Sequence, residues 1–158
     1  MQEKILVPLD GSEVGESALN QVEDLLSKLA HGVKTEITLL QVLRQVHPPV
    51  YGGYGYVDVN YTVDEIDGLN KKALDYLNEV GEVLQDKGAT VIVKVVVGDA
   101  AEEIIKTADE IKADLIAMST HGRSGLSRWA FGSVTDKVLR LKAKLPVLIV
   151  RAMGPETV

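Results

Sequence analysis

Five short runs rich in β-branched and other apolar residues recur along the chain: KILVPL at 4–9, EITLLQVL at 36–43, TVIVKVVV at 90–97, DLIAMS at 114–119 and PVLIVR at 146–151. Several are apolar almost without interruption, which is the pattern of a strand buried on both faces. Between them the periodicity changes to that of a helix. Ala18, Val22, Leu25, Leu26 and Leu29 form one stripe; Ile66, Leu69, Ala73, Leu77, Val80 and Leu84 a second; Ala101, Ile104, Ile105, Ala108 and Ile111 a third; Val134, Val138 and Leu141 a fourth. The predicted helices cover 13–30, 62–87, 99–112 and 133–143. Thr62 with Glu65, Asp99 with Glu102, and Ser133 with Asp136 fit the cap-x-x-acid pattern that marks a helix start.

The order βαβαβαβαβ predicts an α/β fold: an open, doubly wound parallel five-stranded sheet with right-handed crossovers and helices on both faces. With 158 residues and no internal repeat, residues 1–158 read as a single domain. One stretch departs from the alternation. VHPPVYGGYGYVDVNYT at 46–62 suits neither helix nor strand and reads as a long surface loop, either a connector whose tyrosines pack locally or a lid or contact loop.

Charge and composition narrow the function classes. A net charge of −6 without a long basic run argues against a nucleic-acid surface. The absence of cysteine excludes disulfides, thiolate metal sites and cysteine nucleophiles. His31, His47 and His121 lack metal-ligand spacing. MQEKILVPLD has no basic segment leading into a long apolar stretch, so it does not read as a signal peptide. No apolar run approaches the roughly 20 residues that span a bilayer. A cytoplasmic protein with no membrane partner is expected.

The segment STHGRSGLSRWAFGSVT at 119–135 concentrates glycine where the fourth strand should end and the last helix begin. Glycine at this density signals positive φ or the close approach of a ligand to backbone. In an open α/β sheet, ligands bind outside the carboxyl ends of the strands. The end of the first strand supplies PLDGS at 8–12, which faces 119–132 if the first and fourth strands are neighbours. Gly132 and Ser133 at a helix start form an anion site suited to phosphate, and Arg123 adds charge. The familiar loops do not fit: no lysine precedes Ser133 as a Walker A loop requires, the first turn lacks GxGxxG, and GRSG is not GxSxG. Asp10 suits two roles, acceptor for a ribose hydroxyl or N-terminal partner of the first helix.

ILVPLDGS near the start, VVGDAAEEI in the middle, STHGRSG followed by FGSVTDKVLR, and PVLIVR at the end together resemble the universal stress protein family over nearly the whole chain. The ATP-binding branch of that family carries G-x2-G-x9-G-[ST]. Gly122, nine intervening residues, Gly132 and Ser133 match it, and Ser119 stands where the pattern has its first Gly. Serine brings a Cβ and prefers negative φ; with the remaining spacing intact, the site is expected to tolerate it. The resemblance implies strand order 3-2-1-4-5, a homodimer, and ATP or another adenine nucleotide with Mg²⁺ or Mn²⁺ at the switch point. By position it places Pro8, Leu9 and Asp10 at adenine and ribose, Val42 at adenine, and Gly122, Gly132, Ser133, Val134 and Thr135 at the phosphates. His121 falls within the motif, as a ligand contact or a ring packed on the loop. Trp129 and Phe131 read as anchors of the loop.

The last strand, at 146–151, would be an apolar sheet edge, which a second subunit can cover with two-fold symmetry. The leading expectation is therefore a nucleotide-binding regulatory protein with no residue set for fast hydrolysis. Two alternatives stand beside it: a slow ATPase or autophosphorylating protein, and a nucleotide-independent interaction module in which Ser119 marks a lost site.

Overall fold

The computed structural model describes residues 2–29, 32–44, 63–120, 132–141 and 145–152. Its elements follow the alternation read from the sequence: β1 (Gln2–Leu9), α1 (Glu13–Lys28), β2 (Lys34–Leu43), α2 (Val63–Asp86), β3 (Thr90–Val97), α3 (Ala100–Ile111), β4 (Leu115–Thr120), α4 (Ser133–Leu141) and β5 (Val147–Arg151). The strands form one all-parallel sheet in the order β3-β2-β1-β4-β5, as expected.

The unbroken apolar runs have a simple cause. Alternate residues of each central strand enter different cores, so both faces are predominantly apolar. Ile5, Val7 and Leu9 of β1 join Ile37 and Leu39 of β2 and Ala117 of β4 beneath α1 and α2, which contribute Ala18, Leu19, Val22, Leu77 and Leu84. Leu6, Leu40, Ile116 and Met118 point the other way, against Ala101, Ile104 and Ala108 of α3 and Val138 of α4.

The structure defines the cap of α1, which the sequence reading left open, and shifts that of α4 by one residue. Ser12 is the N-cap of α1: its side chain accepts from the Gly15 N–H, and its carbonyl accepts from Glu16. Asp10 therefore supports the cap and does not form it. At α4 the first helical bond runs from the Asp136 N–H to the Gly132 carbonyl, so Gly132 occupies the capping position and Ser133 is the first helical residue. Asp99 caps α3 as expected, accepting from Glu102 at 3.1 Å. Thr62 and the tyrosine-rich stretch 46–62 lie outside the described residues.

Strand order creates a crevice. β1 pairs with β2 along its full length, from Gln2↔Lys34 to Leu9↔Gln41. With β4 it pairs only at Ile5↔Leu115 and Leu6↔Ile116. The connections leave these two parallel strands in opposite senses along the sheet: β1 continues through α1 toward β2, whereas β4 continues through α4 toward β5. Beyond Leu6 and Ile116 these two strands no longer pair with each other, and the crevice opens there.

Candidate functional site

A cavity of about 250 Å³ occupies this crevice. The ends of β1 and β2 supply Pro8, Leu9, Asp10 and Val42; the end of β4 supplies Ser119; the start of α4 supplies Gly132, Ser133, Val134 and Thr135. Every residue of the expected site that lies within the described chain thus lines one cavity. His121, Gly122 and Arg123 lie outside the described residues, as do Trp129 and Phe131.

The lining is chemically graded. Its apolar part is built by Leu40, Val42, Ile104 and Met118, all on the α3–α4 side of the sheet or on α3 itself. At the β1 end the Asp10 carboxylate is the acidic group of the lining. At the α4 end lie the N–H groups of Ser133, Val134 and Thr135, which by their position in the first helical turn have no acceptor inside the helix. The first turns of α1 and α3 are closed by their own side chains, Ser12 and Asp99. α4 starts on Gly132, which has no side chain to do this. Thr135 is only 3% exposed and lines the cavity. N–H groups without an acceptor at a helix start suit an acceptor-rich group.

Asp10 is held in a defined orientation. Its Oδ1 accepts from the Ser12 backbone N–H at 3.0 Å and from the Ser12 hydroxyl at 2.5 Å. Gly11 makes the turn possible with φ +80°, a conformation that favours glycine. Gly15 solves a different problem: a Cβ there would lie 2.6 Å from Asp10 Oδ1, so the first turn of α1 can approach the carboxylate only without a side chain. Next to it, Glu16 accepts from the Tyr76 hydroxyl at 3.0 Å. Burial, then the hydrogen bond and charge of Glu16, with a smaller contribution from the charge of Asp10, push the Tyr76 hydroxyl well above its ordinary range. It stays a neutral donor that ties α2 to α1.

Ser119 lies in regular strand geometry, paired with Val150 of β5. Lys112 is the one non-glycine residue with positive φ among the described residues, so the backbone at Ser119 carries no such strain. The Ser119 hydroxyl donates to the Gly15 carbonyl at 2.9 Å.

Several lining residues escaped the sequence reading: Val14, Gly15, Leu40, Arg44, Ala100, Ile104 and Met118. Gly15 was findable, because a glycine within a helical pattern costs about 1 kcal/mol relative to alanine and calls for a packing reason. Arg44 was findable as a basic residue just beyond a strand's carboxyl end. It also lines an adjoining cavity of about 560 Å³ with Gly98, Asp99, Ala101 and Lys137. There Lys137 bridges Asp99 at 3.0 Å and Glu102 at 3.1 Å, tying α4 to α3. The Glu102 N–H and then Lys137 hold the Asp99 carboxyl below its usual range.

An open, doubly wound parallel sheet, with a cavity at its switch point and a helix start without a capping side chain beside it, defines an α/β protein with a candidate ligand site at its strand ends. The chain belongs to the universal stress protein family, whose model matches residues 1–151. Universal stress protein MJ0577 of Methanocaldococcus jannaschii is 32% identical, with 96% of each chain covered. Universal stress protein YxiE of Bacillus subtilis is 34% identical, over 96% of this chain and all of that one. The solved structure of MJ0577 superposes with a TM-score of 0.71 at 29% identity, covering 96% of this chain and 97% of that one. A universal stress protein family protein from Arabidopsis thaliana, solved with AMP bound, shares the fold at a TM-score of 0.62 and 16% identity, covering 99% of this chain and 95% of that one. No helix among the described residues is long and apolar enough to cross a membrane.

Proposed function

We propose that this protein is a regulatory, stress-response protein that binds an adenine nucleotide, ATP foremost, in the crevice between β1 and β4, and that it acts as a homodimer. The observation that carries this reading is the grading of one cavity. Its apolar wall suits a flat heteroaromatic ring, the fixed Asp10 carboxylate suits hydroxyl donors, and the α4 start suits phosphate. A ring, a diol and an anionic tail in that order describe a nucleotide. That a universal stress protein family protein of the same fold from Arabidopsis was solved with AMP bound supports this reading.

Pro8, Leu9 and Asp10 then border adenine and ribose, Val42 borders adenine, and Ser119 lines the same cavity with its hydroxyl turned to the Gly15 carbonyl. Gly132, Ser133, Val134 and Thr135 take the phosphates, with Gly122, His121 and Arg123 completing the motif. Mg²⁺ or Mn²⁺ would enter on the phosphates. The described residues contain no cluster of three or more His, Asp or Glu side chains that forms a cage of its own, and a cation carried by a triphosphate needs none. The homodimer reading rests on β5, an edge strand whose Val147, Leu148, Ile149 and Val150 are each left partly exposed.

Calorimetric titration of nucleotide-stripped protein with ATP and Mg²⁺ is expected to show saturable micromolar binding, roughly −8 kcal/mol. No detectable heat at several temperatures overturns the reading and leaves the interaction module. Sedimentation of the same sample is expected to give twice the chain mass. Mass spectrometry after incubation with ATP is expected to show no added phosphate and no ADP above a blank. Either product would move the assignment to the slow ATPase or autophosphorylating protein.

Gly15→Ala separates site from fold. Alanine favours a helix by about 1 kcal/mol over glycine, whereas its Cβ must displace the Asp10 carboxylate from 2.6 Å. The melting temperature is expected to hold or rise while ATP affinity falls about tenfold. Unchanged affinity would remove Asp10 from the ligand's surroundings.

A further inference from the structure

We propose that Ser119 is a positioning residue that sets how strongly this site reads the ribose hydroxyls, acting through the first turn of α1 on Asp10. The inference rests on the nucleotide reading above. What it adds is a role for the serine at the first position of the glycine motif.

The geometry is a relay across the crevice. The Ser119 hydroxyl donates to the Gly15 carbonyl at 2.9 Å, a link between residues 104 positions apart in the chain. The Gly15 N–H donates to the Ser12 hydroxyl oxygen at 3.0 Å, and the Ser12 hydroxyl donates to Asp10 Oδ1 at 2.5 Å. The relay thus leads from the end of β4 to the end of β1, where the ladder between these strands has already stopped at Leu6 and Ile116. Among the described residues, the Ser119 bond is the one side-chain hydrogen bond that crosses from β4 to α1. Glycine or alanine at this position has no hydroxyl to make it.

The relay has a chemical consequence at its far end. Both bonds from Ser12 fall on Asp10 Oδ1, and Oδ2 has no partner among the described residues. An ionised carboxylate only accepts, so Oδ2 is open to a hydroxyl donor. Where that oxygen stands relative to β4 depends on where the first turn of α1 stands, because Gly15 packs against the carboxylate with no room for a Cβ. Binding geometry tolerates errors of only about 0.5 Å before affinity suffers. Ser119 therefore matters for ligand groups that Asp10 reads and not for those it does not.

The test compares ATP with 2′,3′-dideoxy-ATP, each with Mg²⁺, on the wild-type chain and on Ser119→Gly, Ser119→Ala and Ser119→Thr, with thermal melts to establish folding. The wild type is expected to prefer ATP. Ser119→Gly and Ser119→Ala are expected to weaken ATP about tenfold while dideoxy-ATP changes by less than about twofold. Ser119→Thr, which keeps the hydroxyl, is expected to retain ATP affinity within about threefold. Equal losses for both nucleotides, or no loss for either, overturn the positioning role. So does a loss in Ser119→Thr as large as that in Ser119→Ala. A wild type that binds both nucleotides equally overturns this inference and leaves the nucleotide reading standing. A wild type that binds neither overturns both.

Discussion

Replacing Gly132 with valine is expected to lower ATP affinity by more than about 100-fold while the chain stays folded. Gly132 caps α4 with its carbonyl, which accepts from Asp136, and it lines the cavity beside the first N–H groups of the helix. A branched side chain there stands between those donors and an incoming phosphate. It also brings a residue type disfavoured at helix caps, at a cost of about 1 kcal/mol. The core contact of α4 is made by Val138, six residues further on and completely buried, and it is untouched. Calorimetry gives the affinity, and far-ultraviolet circular dichroism with a thermal melt gives the fold. An affinity equal to wild type would remove the start of α4 from the binding site, and with it the phosphate half of the proposed function.

Leu6→Ala is expected to have the largest effect on stability, a loss of about 2–5 kcal/mol. Leu6 is wholly buried on the central strand and belongs to the core shared with Leu40, Ile116, Met118 and Val138. Neighbours on a paired sheet cannot collapse into the space it leaves, because β1 is laddered to β2 along its full length and to β4 at this very residue. Removing this much from a domain with about 5–15 kcal/mol in total brings it close to unfolding. Urea titration is expected to show a lower midpoint with an unchanged slope. Leu141→Ala is the control. Leu141 is 56% exposed at the end of α4, and its truncation is expected to cost less than about 0.5 kcal/mol. A Leu6→Ala loss no greater than the control would mean that the two-core description of the sheet is wrong.

The elements were legible because the signals that define them are local. Largely apolar runs gave every strand, with ends agreeing to within a residue or two, because burial on both faces makes most positions apolar. Helical stripes gave the helices, and Asp99 announced the start of α3 through its spacing to Glu102. The starts of α1 and α4 were harder. Ser12, Asp10, Gly132 and Ser133 are all residue types found at helix starts, and only backbone geometry shows which of them carries the cap.

The candidate site divides along the same physical line. Residues whose role follows from neighbours in the chain could be read directly: Gly132 and Ser133 at a helix start, and Asp10 just beyond a strand. Leu40, Ala100, Ile104 and Met118 reach the cavity from β2, α3 and β4, and nothing near them in sequence says so. Their convergence follows from strand order, a property of contacts between segments far apart in the chain. The relay from Ser119 to Asp10 is the clearest case. The sequence by itself identified Ser119 as a serine where a glycine was expected, together with the Cβ and the φ preference that this brings. Only the tertiary structure decided that its hydroxyl meets the Gly15 carbonyl. A side-chain hydrogen bond depends on distance and direction in space, and the pairing of β4 beside β1 creates both.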